Sequence, residues 1–356
     1  MKAAVLTQIN APLELLDLEP QMVKQDSVCA NGQVLVETIC SGICGAQLKE
    51  IQGEKCNASF VPHLLGHEGC VRVKAVGPGV SVQMIGKKCV AHWRKGAGPE
   101  AFLPARYDGI GNGKSVGGGH VTTLCQQAVV SANRLTTVPE DVPDELCALL
   151  GCGLSTALGT IEQEAKVKFG ESVLIVGCGG VGLNLILAAK LAQAWPIVGM
   201  DIVEEKRMTV HQLGAVDYVN SKIDSIHDSM NTLGLRGFDV IVDTTGSVEA
   251  IEATMPLLSD TGRFILLGQP KPDQALRIEG ALHLWHGEFG KRIMATQGGG
   301  FRPSVDIPRY LNLWRSGALK LDGVVSHRLS LTEINRGIDL VRAGQAGRIM
   351  IYPQEK

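Results

Sequence analysis

Val173-Leu174-Ile175-Val176-Gly177-Cys178-Gly179-Gly180-Val181-Gly182 is an apolar run that breaks into glycines. Four consecutive aliphatic residues suit a strand buried on both faces, and the apolar residues over 181–193 suit the helix that follows. The glycines keep a GxGxxG spacing between that strand and that helix, the context in which the motif binds dinucleotides. Gly177 allows the tight turn, Gly179 lets the backbone approach a pyrophosphate, and Gly182 lets helix and strand pack closely. At Gly180 and Val181 the helix begins, and its N-terminal N–H groups and partial positive charge face the phosphates. A second apolar strand, Ile197–Asp201, ends in an acid 19 residues past Gly182. A carboxylate there accepts both ribose hydroxyls of NAD and repels the 2′-phosphate of NADP; the neighbouring Lys206 and Arg207 pull the other way.

Outward from this unit, strands and helices keep alternating. A helix is expected over 204–213, strands at Phe238–Asp243, 263–267 and 291–296, and a helix over 248–258. This alternation predicts a parallel sheet covered by helices on both faces. Upstream of residue 150 the pattern changes to short β runs punctuated by turns, such as 69–76 followed by Gly77-Pro78-Gly79. Beyond Thr296, Ile307, Leu311 and Trp314, and then Ile334, Ile338 and Val341, recur at helical spacing. The expected organisation is a mainly-β domain from 1–153 and 294–356, interrupted by an α/β nucleotide domain at 154–293.

At 356 residues the chain is long enough for two domains with cores of their own. A net charge of −2 argues against a general nucleic-acid or membrane-surface role. The most apolar stretch, 173–200, carries Asn184, Lys190, Gln193 and Pro196, which suits a buried strand–helix–strand unit rather than a membrane span. Ten cysteines occur without a CxxC pair, so finger- and ribbon-type zinc sites are not expected. A chain with this much core has no need of a disulfide framework, and a reducing, cytoplasmic location is expected.

Three residues with metal-binding side chains each lie beside glycine in a turn-like segment: Cys44 in Gly42-Ile43-Cys44-Gly45, His67 in Gly66-His67-Glu68-Gly69, and Cys152 in Gly151-Cys152-Gly153. Singly, a cysteine is usually a small core residue and a histidine a satisfied polar one. Together they make a Cys₂His set, one of the combinations that hold catalytic zinc with the fourth position open to substrate.

With the glycine-rich turn and Ser326-His327-Arg328, these segments fall in the order found in zinc-dependent medium-chain alcohol dehydrogenases of the sorbitol and threonine dehydrogenase-like group, which the chain resembles over nearly its whole length. The resemblance implies a GroES-like catalytic domain, a Rossmann domain with doubly wound parallel sheet, and an active site in the cleft between them. It implies Cys44, His67 and Cys152 as zinc ligands, with Glu68 behind the metal as an exchanging ligand. Asp201 and Lys206 would lie at the adenosine ribose, Arg348 at the pyrophosphate, and Leu267 and Gly268 near the nicotinamide. Such enzymes form homodimers or homotetramers and act on small alcohols or carbonyl compounds.

Two departures bear on mechanism. Where many members have Ser or Thr and then Asp after the first cysteine ligand, this chain has Ala46 and Gln47, and Ala46 cannot pass on a proton. The region 92–123 also lacks the four cysteines that hold a structural zinc in many members, so one zinc per chain is expected. That region carries Trp93, Arg94 and Lys95, candidates for the substrate pocket that would suit a carboxylate or phosphate. Competing readings are a zinc-free quinone or alkene reductase, which the Cys₂His set disfavours, and an NAD-binding sensor or structural protein with impaired catalysis, which Ala46 favours.

Overall fold

The computed structural model describes all residues except 24–26, 55–59, 110, 112–113, 279–280, 286–289 and 356, and omits the side chains of 281 and 283. Cys56 therefore lies outside the described residues; the other nine cysteines are buried and unpaired. The chain divides into two compact units, one made of 1–152, 302–317 and 325–356, the other of 153–301 and 318–324. No helix among the described residues is long and apolar enough to cross a membrane.

The second unit is built on a six-stranded sheet in the order Asp217–Asn220, Ile197–Asp201, Val173–Val176, Phe238–Asp243, Leu258–Leu266, Arg292–Ala295, with every pairing parallel. The first strand in sequence lies centrally and the order reverses across it, which is the Rossmann arrangement. Leu174, Val176, Val198, Val219, Ile241 and Phe264 fill one side of its core, and full burial of each such side chain contributes roughly 1.5–3 kcal/mol. The expected boundary at residue 293 falls inside the sixth strand. Arg292–Ala295 pairs with the strand before it, so the unit runs on to Phe301. The helix expected over 248–258 stops at Thr254, because Pro256 lacks the N–H the next turn needs; a short 3₁₀ turn, Met255–Leu257, takes over. Ser247 caps the start of that helix by accepting from the Ala250 N–H at 3.3 Å.

The first unit carries two β-sheets. The larger has the order Leu135–Thr137, Lys88–His92, Glu68–Val76, Gln33–Ile43, Arg348–Tyr352, Val325–Ser330, with Gln127–Ser131 also paired to Gln33–Ile43. The smaller joins Glu14–Asp17, Lys2–Leu6, His63–Leu64, Val116–Gly117, Arg106–Asp108 and Glu19–Pro20. Val34, Val36, Val71, Val73, Ala128 and Val130 belong to one core cluster of this unit. They alternate along their strands as a half-buried sheet requires. The strand Arg348–Tyr352 closes against Ser41–Ile43 of the longest strand, so the last residues of the chain complete the sheet on which Cys44 is mounted.

Candidate active site

Cys44 directly follows the strand Gln33–Ile43 and caps the short helix Gly45–Ile51. His67 precedes the strand Glu68–Val76, whose Cys40↔Cys70 and Ser41↔Gly69 register sets it level with the end of the neighbouring strand. Gly66 holds φ at +99°, a conformation that favours glycine, and a Cβ there would strike Thr123. Cys152 follows the helix Asp144–Leu149. These segments bring one ligand atom each from Cys44, His67 and Cys152 within 4.8 Å of one another, the one such group found among the described residues. Around a tetrahedral zinc, neighbouring thiolates stand about 3.8 Å apart, so the cluster needs only a small contraction to close on an ion.

The electrostatics favour a cation. The Cys152 thiol beside it, and then His67, hold the Cys44 thiol well below its ordinary range despite burial. Cys152, turned toward Cys44 and buried, is pushed well up. Burial opposes charge on His67, but the neighbouring Cys44 outweighs it and raises the imidazole. Two sulfurs and an imidazole nitrogen converging in one pocket form a soft donor set that a zinc ion fits, with protons leaving as it enters.

Glu68 is fully buried and is not part of the cluster. Its carboxylate lies 3.1 Å from Arg348 Nη1, which also donates to the Ile43 carbonyl at 3.0 Å. Arg348, expected at a pyrophosphate, is 2% exposed and enclosed in the first unit; its Nε and Nη2 have no hydrogen-bond partner. Gln47, noted in the sequence only as standing where many members have Asp, joins two ligand segments. Its Oε1 accepts from the Cys44 N–H at 2.8 Å and its Nε2 lies 2.6 Å from His67 Nδ1. The spacing of a helix N-cap and a glutamine three residues on carried that signal, obscured because the capping residue is cysteine rather than serine or threonine.

The Arg94 guanidinium lies 5.4 Å from the centre of the Trp93 ring. Lys95 is exposed and donates to Glu100 at 2.6 Å, so its charge is matched locally. His92 is structural: its ring nitrogens meet the Arg94 carbonyl at 2.7 Å and Thr136 Oγ1 at 3.0 Å, and burial lowers its pKa to about 4. His63 stacks on Phe60 and turns Nδ1 to the Leu64 carbonyl.

In the second unit, Gly177 makes its turn at φ +89°, and a Cβ on Gly182 would collide with the Gly177 carbonyl. Asp201 accepts through Oδ2 from the Cys178 N–H at 2.7 Å and from Lys206 Nζ at 2.8 Å, and through Oδ1 from the Ile202 N–H at 2.7 Å. Arg207, by contrast, is bound to Glu204 and Asp224. Leu267 and Gly268 follow the strand Leu258–Leu266, and both N–H groups donate to the Asp243 carbonyl at 2.9 Å.

Residues 30–140 match the alcohol dehydrogenase GroES-like domain and residues 180–298 the zinc-binding dehydrogenase domain, together well over half of the chain. An S-(hydroxymethyl)glutathione dehydrogenase of Paracoccus denitrificans is 27% identical over 384 residues, covering 98% of this chain and 99% of that protein. Alcohol dehydrogenase 6 of Peromyscus maniculatus is 27% identical, covering 99% of this chain and 97% of its own. The benzyl alcohol dehydrogenase of Acinetobacter calcoaceticus superposes with a TM-score of 0.84 at 26% identity, over 99% of this chain and 98% of that one. The chain belongs to the zinc-dependent medium-chain alcohol dehydrogenase family. It is an oxidoreductase of that family, working with zinc and NAD on an alcohol or carbonyl compound.

Proposed function

We propose that Cys44, His67 and Cys152 hold one catalytic zinc and that the glycine turn Gly177–Gly182 with Asp201 and Lys206 holds NAD, so that the protein interconverts a polar or anionic secondary alcohol, polyol or sugar derivative and its carbonyl form. The observation that carries this reading is the convergence of two cysteines and a histidine, far apart in sequence, on one buried point. Zinc there supplies Lewis-acid stabilisation of negative charge on the substrate oxygen, and NAD takes up the hydride. In the alcohol-to-carbonyl direction the substrate would lose a hydride from carbon and a proton from its hydroxyl. Ala46 cannot carry that proton, so it leaves through water or another side chain.

Arg348 holds the Glu68 carboxylate behind His67, countering a negative charge that would otherwise stand uncompensated beside the cluster. Gly179, Gly180 and Val181 present the start of a twelve-residue helix to the pyrophosphate, with Leu267 and Gly268 at the nicotinamide. We assign Arg348 a role at the pyrophosphate only through its two unpartnered nitrogens. The active form is a homodimer or homotetramer.

NAD-dependent turnover across a panel of simple alcohols, polyols and hydroxy acids, on protein of known zinc content, tests the assignment. Turnover of at least one class with about one zinc per chain supports it; zinc-loaded protein that binds NAD but turns over none leaves the sensor reading. The substrate class rests on Trp93, Arg94 and Lys95. Arg94, whose guanidinium lies over the Trp93 ring, is a planar cation of the kind that suits a carboxylate or phosphate. Arg94→Ala is expected to raise KM for an anionic substrate about tenfold or more with little change in kcat, since uniform binding is what it removes. An unchanged KM removes Arg94 from the pocket.

A further inference from the structure

Gln47 is 1% exposed and lies between two of the three cluster segments. Its oxygen is occupied by the Cys44 N–H at 2.8 Å and its amide nitrogen faces His67 Nδ1 at 2.6 Å. A primary amide has one acceptor atom and one donor atom. The backbone N–H of Cys44 is always a donor. With Nδ1 turned to Gln47, Nε2 is the nitrogen left to a metal, and a neutral imidazole bound through Nε2 carries its proton on Nδ1. The loaded site thus presents a donor to each end of the Gln47 amide, which has an oxygen at only one of them.

We propose that Gln47 is a positioning residue that lowers the metal affinity of the Cys44–His67–Cys152 site, because its amide cannot accept from the Cys44 N–H and the His67 Nδ1–H together. Before loading, with Nδ1 the acceptor that the facing amide nitrogen calls for, both its contacts are satisfied. Loading turns the amide over to His67 and leaves the Cys44 N–H against an NH₂ group. A metal-bound histidine ordinarily gives its second N–H to a fixed acceptor, which orients the ring and makes it a better ligand. Here that acceptor is contested, so the ion exchanges more readily than the donor set alone would allow. A carboxylate of the same reach has two oxygens and accepts from both donors at once.

This inference rests on the zinc reading above, and the test separates the two. Zinc affinity is measured by competition against a chromophoric chelator for the wild type, Gln47→Glu and Gln47→Ala. Gln47→Glu is expected to bind zinc at least about tenfold tighter, in the range that outer partners of metal ligands command. Gln47→Ala loses no hydrogen bond on loading, so it is expected to stay within about threefold of the wild type or to bind more tightly. If Gln47→Glu does not fold, the alanine variant decides. A tenfold loss in Gln47→Ala, or no gain in a folded Gln47→Glu, overturns the inference and makes Gln47 an ordinary support of His67. A wild type that binds no zinc at all instead removes the zinc reading itself.

Discussion

Cys152→Ser is expected to abolish zinc retention: the wild type carries about one ion per chain and the variant less than a tenth of that, with alcohol-dependent NAD reduction down by about a thousandfold or more. A thiolate and a serine hydroxyl have nearly the same shape, so the packing around this buried residue changes little. The chemistry changes fully, because the serine hydroxyl stays protonated near neutral pH and is a hard donor where zinc prefers a soft one. Losing one of three protein ligands exceeds the 10–100-fold effect usual for an outer partner. Cys147→Ser is the control: Cys147 is also buried, on the preceding helix, but lies outside the Cys44–His67–Cys152 group, so this variant is expected to keep its zinc. Elemental analysis of both variants and the wild type decides the matter. Zinc retained by Cys152→Ser would remove this residue from the site. Two zinc ions in the wild type would mean a second site exists.

The second large effect is expected at Asp201. Asp201→Ser should lower kcat/KM for NAD by about a hundredfold and raise it for NADP, moving the preference between them by three to four orders of magnitude. Two charge-assisted hydrogen bonds to the ribose hydroxyls, at about 1.5–3 kcal/mol each, are the interactions removed. The gain for NADP comes from Lys206. Its ammonium, mostly buried, is paired with Asp201 at 2.8 Å. Without that carboxylate it is left seeking an anion, and a 2′-phosphate supplies one. Arg207 contributes little, since Glu204 and Asp224 already hold it. Steady-state kinetics with both nucleotides give the answer; an unaltered preference would show that the ribose lies elsewhere.

How much of this was legible in the chain depended on the range over which each signal acts. The Rossmann turn is a local signal: a buried strand, three spaced glycines and a helix lie within twenty residues, and Gly177 and Gly182 are constrained by sterics that nothing distant can relax. The clustering of Cys44, His67 and Cys152 was not local, and only the order of several motifs taken together pointed to it. The sixth strand, expected at 291–296, forms at Arg292–Ala295, although its half-exposed pattern leaves its place in the sheet to pairing rather than to hydrophobicity. Other features stayed hidden. The segment 318–324 belongs with the second unit although it lies between two parts of the first. The Glu68–Arg348 pair and the Gln47 bridge depend on side chains brought together by sheet register, and no pattern in residue type announces a charge that is neutralised from the far end of the chain.

That far end has a consequence for how the protein is made. Arg348 and Ile43, joined by a hydrogen bond, are 305 residues apart in sequence. At ordinary elongation rates about fifteen seconds to a minute of synthesis separate them. For the last 196 residues of that interval, from Cys152 to Arg348, the residues Cys44, His67 and Cys152 have all been made, while the strand that flanks them and the cation that neutralises Glu68 do not yet exist. The nascent chain therefore shows its thiols to the cell before it can enclose them. Any metal captured early is held by an unfinished sheet with an uncompensated acid beside it, and the final cage forms only when the last strand docks.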